Sequence, residues 1–364
     1  MRILRSYIIK ELFGPFALSL IVFTFVLLMG NIIQLAELLI TKGVEITYVV
    51  KLFFNLIPYL LSYTLPMSIL TSVLLTFGKL SSDNEITAIR ASGISLISIL
   101  VPVLVVGILF CMLSIYLNDR VLPKSHFTSR KILSEIGFKK PTAYLEAGTF
   151  IKTFKKYIIF IYSIEKNKLH NIRIYEPLKG KSTRTIIAKH GEFIPLPEQK
   201  LIKLKLIDGV SDEPNPENPN NFFKLSFKTY FITLDLAEDQ KGSNIEKKPK
   251  DMTIEELEEE IKNFAKENID PSPLLTEIHK KISLSFASLA FVIIGLPLAI
   301  RTKRHEKSIG FGMSLVIIMV YYLLLAFGEA LALRQLCPPP VAMWFSNVLL
   351  VLIGAILFCR LEAR

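Results

Sequence analysis

Six stretches of this sequence run without Asp, Glu, Lys or Arg for long enough to cross a bilayer. They cover residues 12–36, 52–78, 91–118, 282–300, 308–328 and 335–359. A hydrocarbon core of about 30 Å takes roughly 20 helical residues, and the shortest of these runs has 19. Six such runs exclude an ordinary soluble enzyme. They also exclude an outer-membrane barrel, whose strands are about 10 residues long with alternating polarity. The overall balance agrees: 51% of the chain is hydrophobic, and the mean hydropathy is +0.45.

Charge is concentrated elsewhere. Residues 119–281 hold 29 of the 43 basic and 24 of the 32 acidic residues, so they read as a soluble domain inserted between spans three and four. With +5 there and +6 in the remainder, the basic excess forms no nucleic-acid patch, and no nucleic-acid partner is expected. Orientation follows from the short loops. With the N-terminus in the cytoplasm, eleven Lys and Arg fall on cytoplasmic ends, among them Arg2, Arg5, Lys79, Arg90, Arg301 and Arg304, against Lys42, Lys51 and Arg334 opposite. The positive-inside rule selects this arrangement and puts residues 119–281 on the outer side. The first apolar run is too long for a signal-peptide core and lacks a small-residue cleavage site, so it is expected to be retained.

Local patterns set further expectations. Residues 1–11 read as a short amphipathic helix, and Gly14-Pro15 interrupts span one. Pro58 and Pro66 lie in span two, where neighbouring helices can satisfy the freed carbonyls. The inserted domain reads as β, with strands over 149–154, 157–164, 170–176, 184–190, 200–206 and 222–234. Turn residues separate them at 165–168, 180–182 and 213–220, which suggests a sandwich or open barrel. Thr253 and Glu256 form a capping box ahead of the stripe Ile254, Leu257, Ile261 and Phe264, a helix returning towards the membrane. Cys111, Cys337 and Cys359 fall in or beside apolar runs, as packing residues rather than a disulfide framework.

Enzymatic motifs are weak. Gly180-Lys181-Ser182-Thr183 lacks the glycine five residues earlier that a phosphate loop requires, since that position is Tyr175. Five scattered histidines have no metal-ligand spacing, and no GxSxG occurs. No catalytic residue, metal or cofactor is therefore assigned, and any ATP-driven work falls to a separate chain. Glu329, at a span end five residues before Arg334, reads as interfacial rather than as a proton relay.

The loop between spans two and three is the most informative. Ser82 and Glu85 fit a capping box, and Gly93 can end the helix in a left-handed conformation. The pattern predicts a short amphipathic helix over about 82–93, either a plain connector or an element that passes force from a cytoplasmic motor. The string Ser82-Asp83-Asn84-Glu85-Ile86-Thr87-Ala88-Ile89-Arg90-Ala91-Ser92-Gly93 resembles the coupling-helix signature of the LptF/LptG lipopolysaccharide export permeases. In chain order, Asn118 to Pro123, Phe227 to Tyr230, Glu277 to Lys281, Gly295 to Leu298, Ser308 to Gly312, Tyr321-Tyr322 and Pro339 through Trp344 to Asn347 resemble the rest of that family.

The resemblance implies an α-helical integral protein of the bacterial inner membrane with six transmembrane helices and an inserted periplasmic β-jellyroll-like domain. The divisions are 1–118, 119–270 and 271–364. It implies a permease subunit of an ABC-type transporter that extracts lipopolysaccharide from the outer leaflet. The partners implied are a cytoplasmic ATPase dimer, a second homologous permease, and a periplasmic bridge protein with a jellyroll domain. Asp83, Asn84, Glu85, Ala88, Arg90 and Gly93 become the ATPase-coupling residues. Lys42, Lys51, Arg120, Lys124, Lys280, Lys281 and Arg334 become headgroup candidates at the outer interface, with Lys42 and Lys281 foremost; the alternative role for each is an interfacial anchor. Two other classes compete: a permease that moves a periplasmic partner mechanically, and a lipid-modifying membrane enzyme. The coupling helix argues against the enzyme, which needs no motor contact.

Overall fold

The computed structural model describes residues 2–139, 148, 150–154, 157–165, 168–177, 183–196, 201–214, 222–234, 247–267, 269–302 and 307–362. The predicted turns at 166–167, 180–182 and 215–220, and the basic positions 303 and 304, lie outside the described residues. Two compact units divide the chain: residues 1–31, 55–127 and 247–364 form one, and residues 32–54 and 128–246 the other.

Long helices dominate: α1 (Arg2–Ile40), α2 (Ile46–Ser82), α4 (Leu96–Tyr116), α5 (Leu122–Lys139), α7 (Ser272–Thr302), α8 (Lys307–Leu333) and α9 (Pro339–Glu362). The short helices α3 (Glu85–Ala91) and α6 (Ile254–Lys266) stand between them. A π-helical turn, Leu117–Val121, joins α4 to α5 without a break. Among the described residues, six helical segments are long and apolar enough to span a membrane: 3–40, 46–82, 96–137, 272–301, 309–333 and 339–362.

In the first unit α2 and α7 are the enclosed helices, while the apolar residues of α1 and α8 largely face outward. Composition explains this. The inward faces of α2 and α7 carry Ser62, Ser68, Thr71, Ser72, Ser283, Ala287, Ser288 and Ala290, all buried, and small side chains let backbones approach closely. At Gly354 of α9 an added Cβ would lie 2.8 Å from the Ile293 carbonyl oxygen of α7, so only glycine fits. Cys111 is buried, as packing requires, but Cys359 is exposed.

Gly14-Pro15 does not interrupt the first helix. Proline leaves the Glu11 carbonyl without its intrahelical donor. The Thr76 hydroxyl of α2 donates to Glu11 O at 3.2 Å, and Ser72 donates to Leu12 O at 2.7 Å. With both carbonyls satisfied from the neighbouring helix, α1 runs through from Arg2, and residues 2–11 are its first turns rather than a separate helix.

In the second unit β1 (Phe150–Phe154), β2 (Tyr157–Glu165), β3 (Lys168–Glu176), β4 (Arg184–Leu196), β5 (Leu201–Pro214) and β6 (Phe222–Leu234) form one antiparallel sheet in sequential order. A jelly roll needs two sheets joined through Greek-key connections; the described strands make a single meander. It bends instead of splitting. Asn171 and Asp208 have φ of 52°, and the register sets Asn171, Lys189, Asp208 and Lys228 in one row across β3 to β6. The buried side changes parity across this row, from Leu169 to Ile172, from Ala188 to Gly191, and from Leu206 to Ser211. This row, with its left-handed Asn171 and Asp208, creases the sheet without shifting the strand register and keeps one apolar face inside. That face carries Ile159, Ile174, Phe193, Leu204 and Ile232 in one buried cluster. In the same unit Leu35 and Leu38 of α1, Val44 of the connection after it, Val49 and Leu52 of α2, and Ile132 and Ile136 of α5 pack together.

Candidate functional site

The connector after α2 holds the first candidate site. A seven-residue helix has too few internal bonds to persist alone, so α3 depends on its surroundings. Ile86 is 3% exposed and belongs to the same buried cluster as Ile8, Leu80 and Leu96. Burial of one such side chain contributes about 1.5–3 kcal/mol. The Tyr7 hydroxyl donates to the Glu85 carboxylate at 2.9 Å, tying α3 to the first turns of α1. One turn along α1, Lys79 pairs with Glu11 at 3.2 Å, and the Ser81 hydroxyl donates to the Ile300 carbonyl at 3.1 Å.

The expected capping box at Ser82 and Glu85 does not form. Ser82 is the last residue of α2, and Asn84 occupies the N-cap in a left-handed conformation, φ 59°, with no side-chain cap bond. Asparagine is one of the few residues that tolerate this geometry, and it turns the chain sharply from α2 into α3. Glu85 is consequently engaged with Tyr7 rather than with the backbone of position 82. The other end meets the expectation. Gly93 has φ 82°; its amide bonds Arg90 O at 3.0 Å, and that of Ile94 bonds Ile89 O at 3.4 Å, a Schellman closure. The face opposite Ile86 is exposed, with Asp83, Asn84, Thr87, Ala88, Arg90 and Ala91 all outward.

A second junction surrounds the π-helical turn. Asn118 is buried and its amide donates to the Ser285 hydroxyl of α7 at 3.0 Å. Asp119 accepts the Ile254 amide at 2.7 Å, an anchor for the first turn of α6. Arg120 reaches Asp119 at 3.3 Å and Glu255 at 2.7 Å. The predicted Thr253–Glu256 capping box is present. Burial pushes the Glu256 carboxyl up, but the Lys247 ammonium and the Thr253 amide outweigh this and hold it below the usual range. The Lys281 ammonium donates to the Met252 carbonyl. A π-turn re-aims side chains by one position; here it points Asn118 and Asp119 at two different helices.

The basic candidates do not form one cluster. Lys281 is 5% exposed, because its stem is packed at this junction, so it is enclosed rather than presented at a surface. Lys280 bonds both oxygens of Glu329 at 2.7 Å; that carboxylate therefore pairs with Lys280 of α7, not with Arg334. Arg120 is engaged as described. Lys42 pairs with Glu37 at 3.4 Å and lies, like Lys51, in the other compact unit, so Lys42 and Lys281 are not neighbours within one unit. Lys51, Lys124 and Arg334 are exposed. Sequence reasoning missed Tyr7, whose role depends on a partner 78 residues away. It also missed the roles of Asn118 and Asp119, although both lie in a quoted string. Among the described residues, no three His, Cys, Asp or Glu side chains come close enough to hold a metal ion.

The sequence profile of the family described as "Lipopolysaccharide export system permease LptF/LptG" matches residues 6–360. The chain belongs to the LptF/LptG family. The profile reaches into every helix described here and covers α3 and the π-turn in full. A curated relative, "Uncharacterized protein RP871" of Rickettsia prowazekii (strain Madrid E), is 23% identical over 235 residues, which is 64% of this chain and 64% of that protein. With its six apolar helices, this LptF/LptG chain is a multi-pass membrane protein carrying an inserted antiparallel sheet.

Proposed function

We propose that this chain is a permease subunit of an ABC-type transporter that extracts lipopolysaccharide from the outer leaflet of the bacterial inner membrane and passes it to a periplasmic bridge. The observation that carries the reading is the family match over residues 6–360 combined with a helix built for contact at α3. That helix is fixed on one side by Ile86 and Glu85 and open on the other at Thr87, Ala88 and Arg90. A short helix restrained in this way transmits a push instead of absorbing it. The work is powered by a separate cytoplasmic ATPase dimer, and a second homologous permease completes the pathway.

The excess of Lys and Arg at 1–11, 79–90 and 301–307 supports a cytoplasmic placement of α3 and a periplasmic placement of the sheet. The apolar face of the sheet is suited to hand over acyl chains, and the outward apolar faces of α1 and α8 to receive them. Lys42, Lys51, Lys124 and Arg334 remain the headgroup candidates by their level in this topology, whereas Lys281 is enclosed.

The test is ATP-dependent transfer. The chain is co-purified with its permease and ATPase partners, reconstituted, and loaded with photo-activatable lipopolysaccharide. ATP should lower crosslinking to this chain and raise it on a soluble periplasmic acceptor, and a hydrolysis-deficient ATPase should abolish both changes. Crosslinking indifferent to ATP would contradict the assignment.

A further inference from the structure

We infer that the first unit holds a phospholipid site, separate from the lipopolysaccharide path: an acyl chain occupies a cavity between α1, α2, α4 and α7, and Arg5 binds the anionic headgroup. The cavity has a volume of about 190 Å³. That exceeds the roughly 150 Å³ of an apolar cavity able to take up benzene, so several carbons of an acyl chain fit. Its walls include Ile9, Phe13 and Phe16 of α1, Val73 of α2, and Val106 and Phe110 of α4. Ser72 is the polar residue among the lining, and its hydroxyl is spent on the Leu12 carbonyl. Water would find no partners there, while an alkyl chain would.

The mouth opens on the outer apolar surface of the helices. Phe13 is 71% exposed and Leu109, also in the lining, 60%; in a membrane-spanning chain such positions face lipid. Charge identifies which lipid. Arg5, Ile9, Leu12 and Phe16 follow at helical spacings of four, three and four, so Arg5 lies one turn beyond the cavity on the same stripe of α1. Arg5 and Lys10 are exposed. The first acidic residue of the chain, Glu11, is matched by Lys79, so this end of the stripe is left positive, which suits a phosphatidylglycerol-type headgroup. The site also abuts the Pro15 region, and its lining begins at Ile9, within one turn of Tyr7, so a lipid seated there supports the segment on which α3 hangs.

The inference rests on the orientation proposed above, which puts Arg5 at the cytoplasmic leaflet, away from the lipopolysaccharide source. Orientation is read separately, by labelling Ser6→Cys with an impermeant thiol reagent, so its failure is distinguishable. The experiment uses full-length protein in nanodiscs containing phosphatidylglycerol or phosphatidylcholine with a mid-chain diazirine, followed by mass-spectrometric mapping of adducts. Phosphatidylglycerol should label the Ile9–Phe16 and Val106–Phe110 segments about fivefold more than phosphatidylcholine. Arg5→Gln should reduce that ratio to near one. Val106→Trp, which fills the cavity, should reduce labelling by both lipids there while leaving labelling at exposed Leu323 of α8 unchanged. A ratio near one in the unaltered protein would overturn the anionic headgroup. Labelling indifferent to Val106→Trp would overturn the cavity as its acyl site.

Discussion

The hydroxyl of Tyr7 and the carboxylate of Glu85 meet at 2.9 Å, bridging 78 residues of sequence. Through this contact the start of α1 sets the position of α3, so Glu85 is a positioning residue whose side chain is already occupied. Tyr7→Phe keeps the ring and removes the donor. A part-exposed bond to a carboxylate contributes about 1 kcal/mol, so amides 86–92 should exchange about fivefold faster, with membrane insertion unchanged. Hydrogen-exchange mass spectrometry measures this, and unchanged protection would show that Ile86 alone holds the helix.

Arg90 should behave differently from Glu85. It is exposed on the open face of α3 and is a contact candidate. Arg90→Glu should weaken co-purification with the ATPase while leaving exchange in α3 unaltered. Glu85→Ala should alter both. Equal exchange effects from the two variants would remove the distinction between contact and positioning.

Asp119 is the anchor of α6. Asp119→Ala leaves the Ile254 amide without its acceptor, at a cost of about 1 kcal/mol, as for loss of a helix cap; the exposed Arg120 pairs contribute little. Exchange at 254–258 should accelerate, and Asp119→Asn, which retains an acceptor oxygen, should restore most of the protection. Matching behaviour of Ala and Asn variants would assign the effect to lost charge instead.

Gly209 marks the crease of the sheet. An added Cβ would stand 2.5 Å from the Ile187 carbonyl oxygen and 2.4 Å from Phe227 Cζ. Gly209→Val forces these strands apart, an overpacking cost of about 2 kcal/mol. Accelerated exchange across β4, β5 and β6, with α7 unaffected, is the expected result.

The membrane helices were legible because the absence of charge over about 20 residues has one main physical outcome. The α6 capping box and Gly93 were legible for the same kind of reason, since each is a local rule satisfied by local atoms. The strands were found but β4 and β5 were cut short. The expected strands stop short of Gly191 and Gly209, whereas each glycine is demanded inside a strand by neighbours that leave no room for a Cβ. Pro15 read as a break because the hydroxyls that rescue its helix lie 60 and 65 residues from the carbonyls they satisfy. Lys281 failed as a surface candidate for a related reason. Its partner is a backbone carbonyl at Met252, and a carbonyl has no sequence signature.

The most direct measurement is photo-crosslinking from α3 in native membranes. With p-benzoylphenylalanine at position 88, on the exposed face of the helix, the principal adduct identified by mass spectrometry should be an ATP-binding-cassette protein. Its yield should fall in the Arg90→Glu background. Adducts confined to lipid or to periplasmic proteins would place α3 on the wrong side or without a motor, and would contradict the assignment of this chain as an ATPase-driven permease.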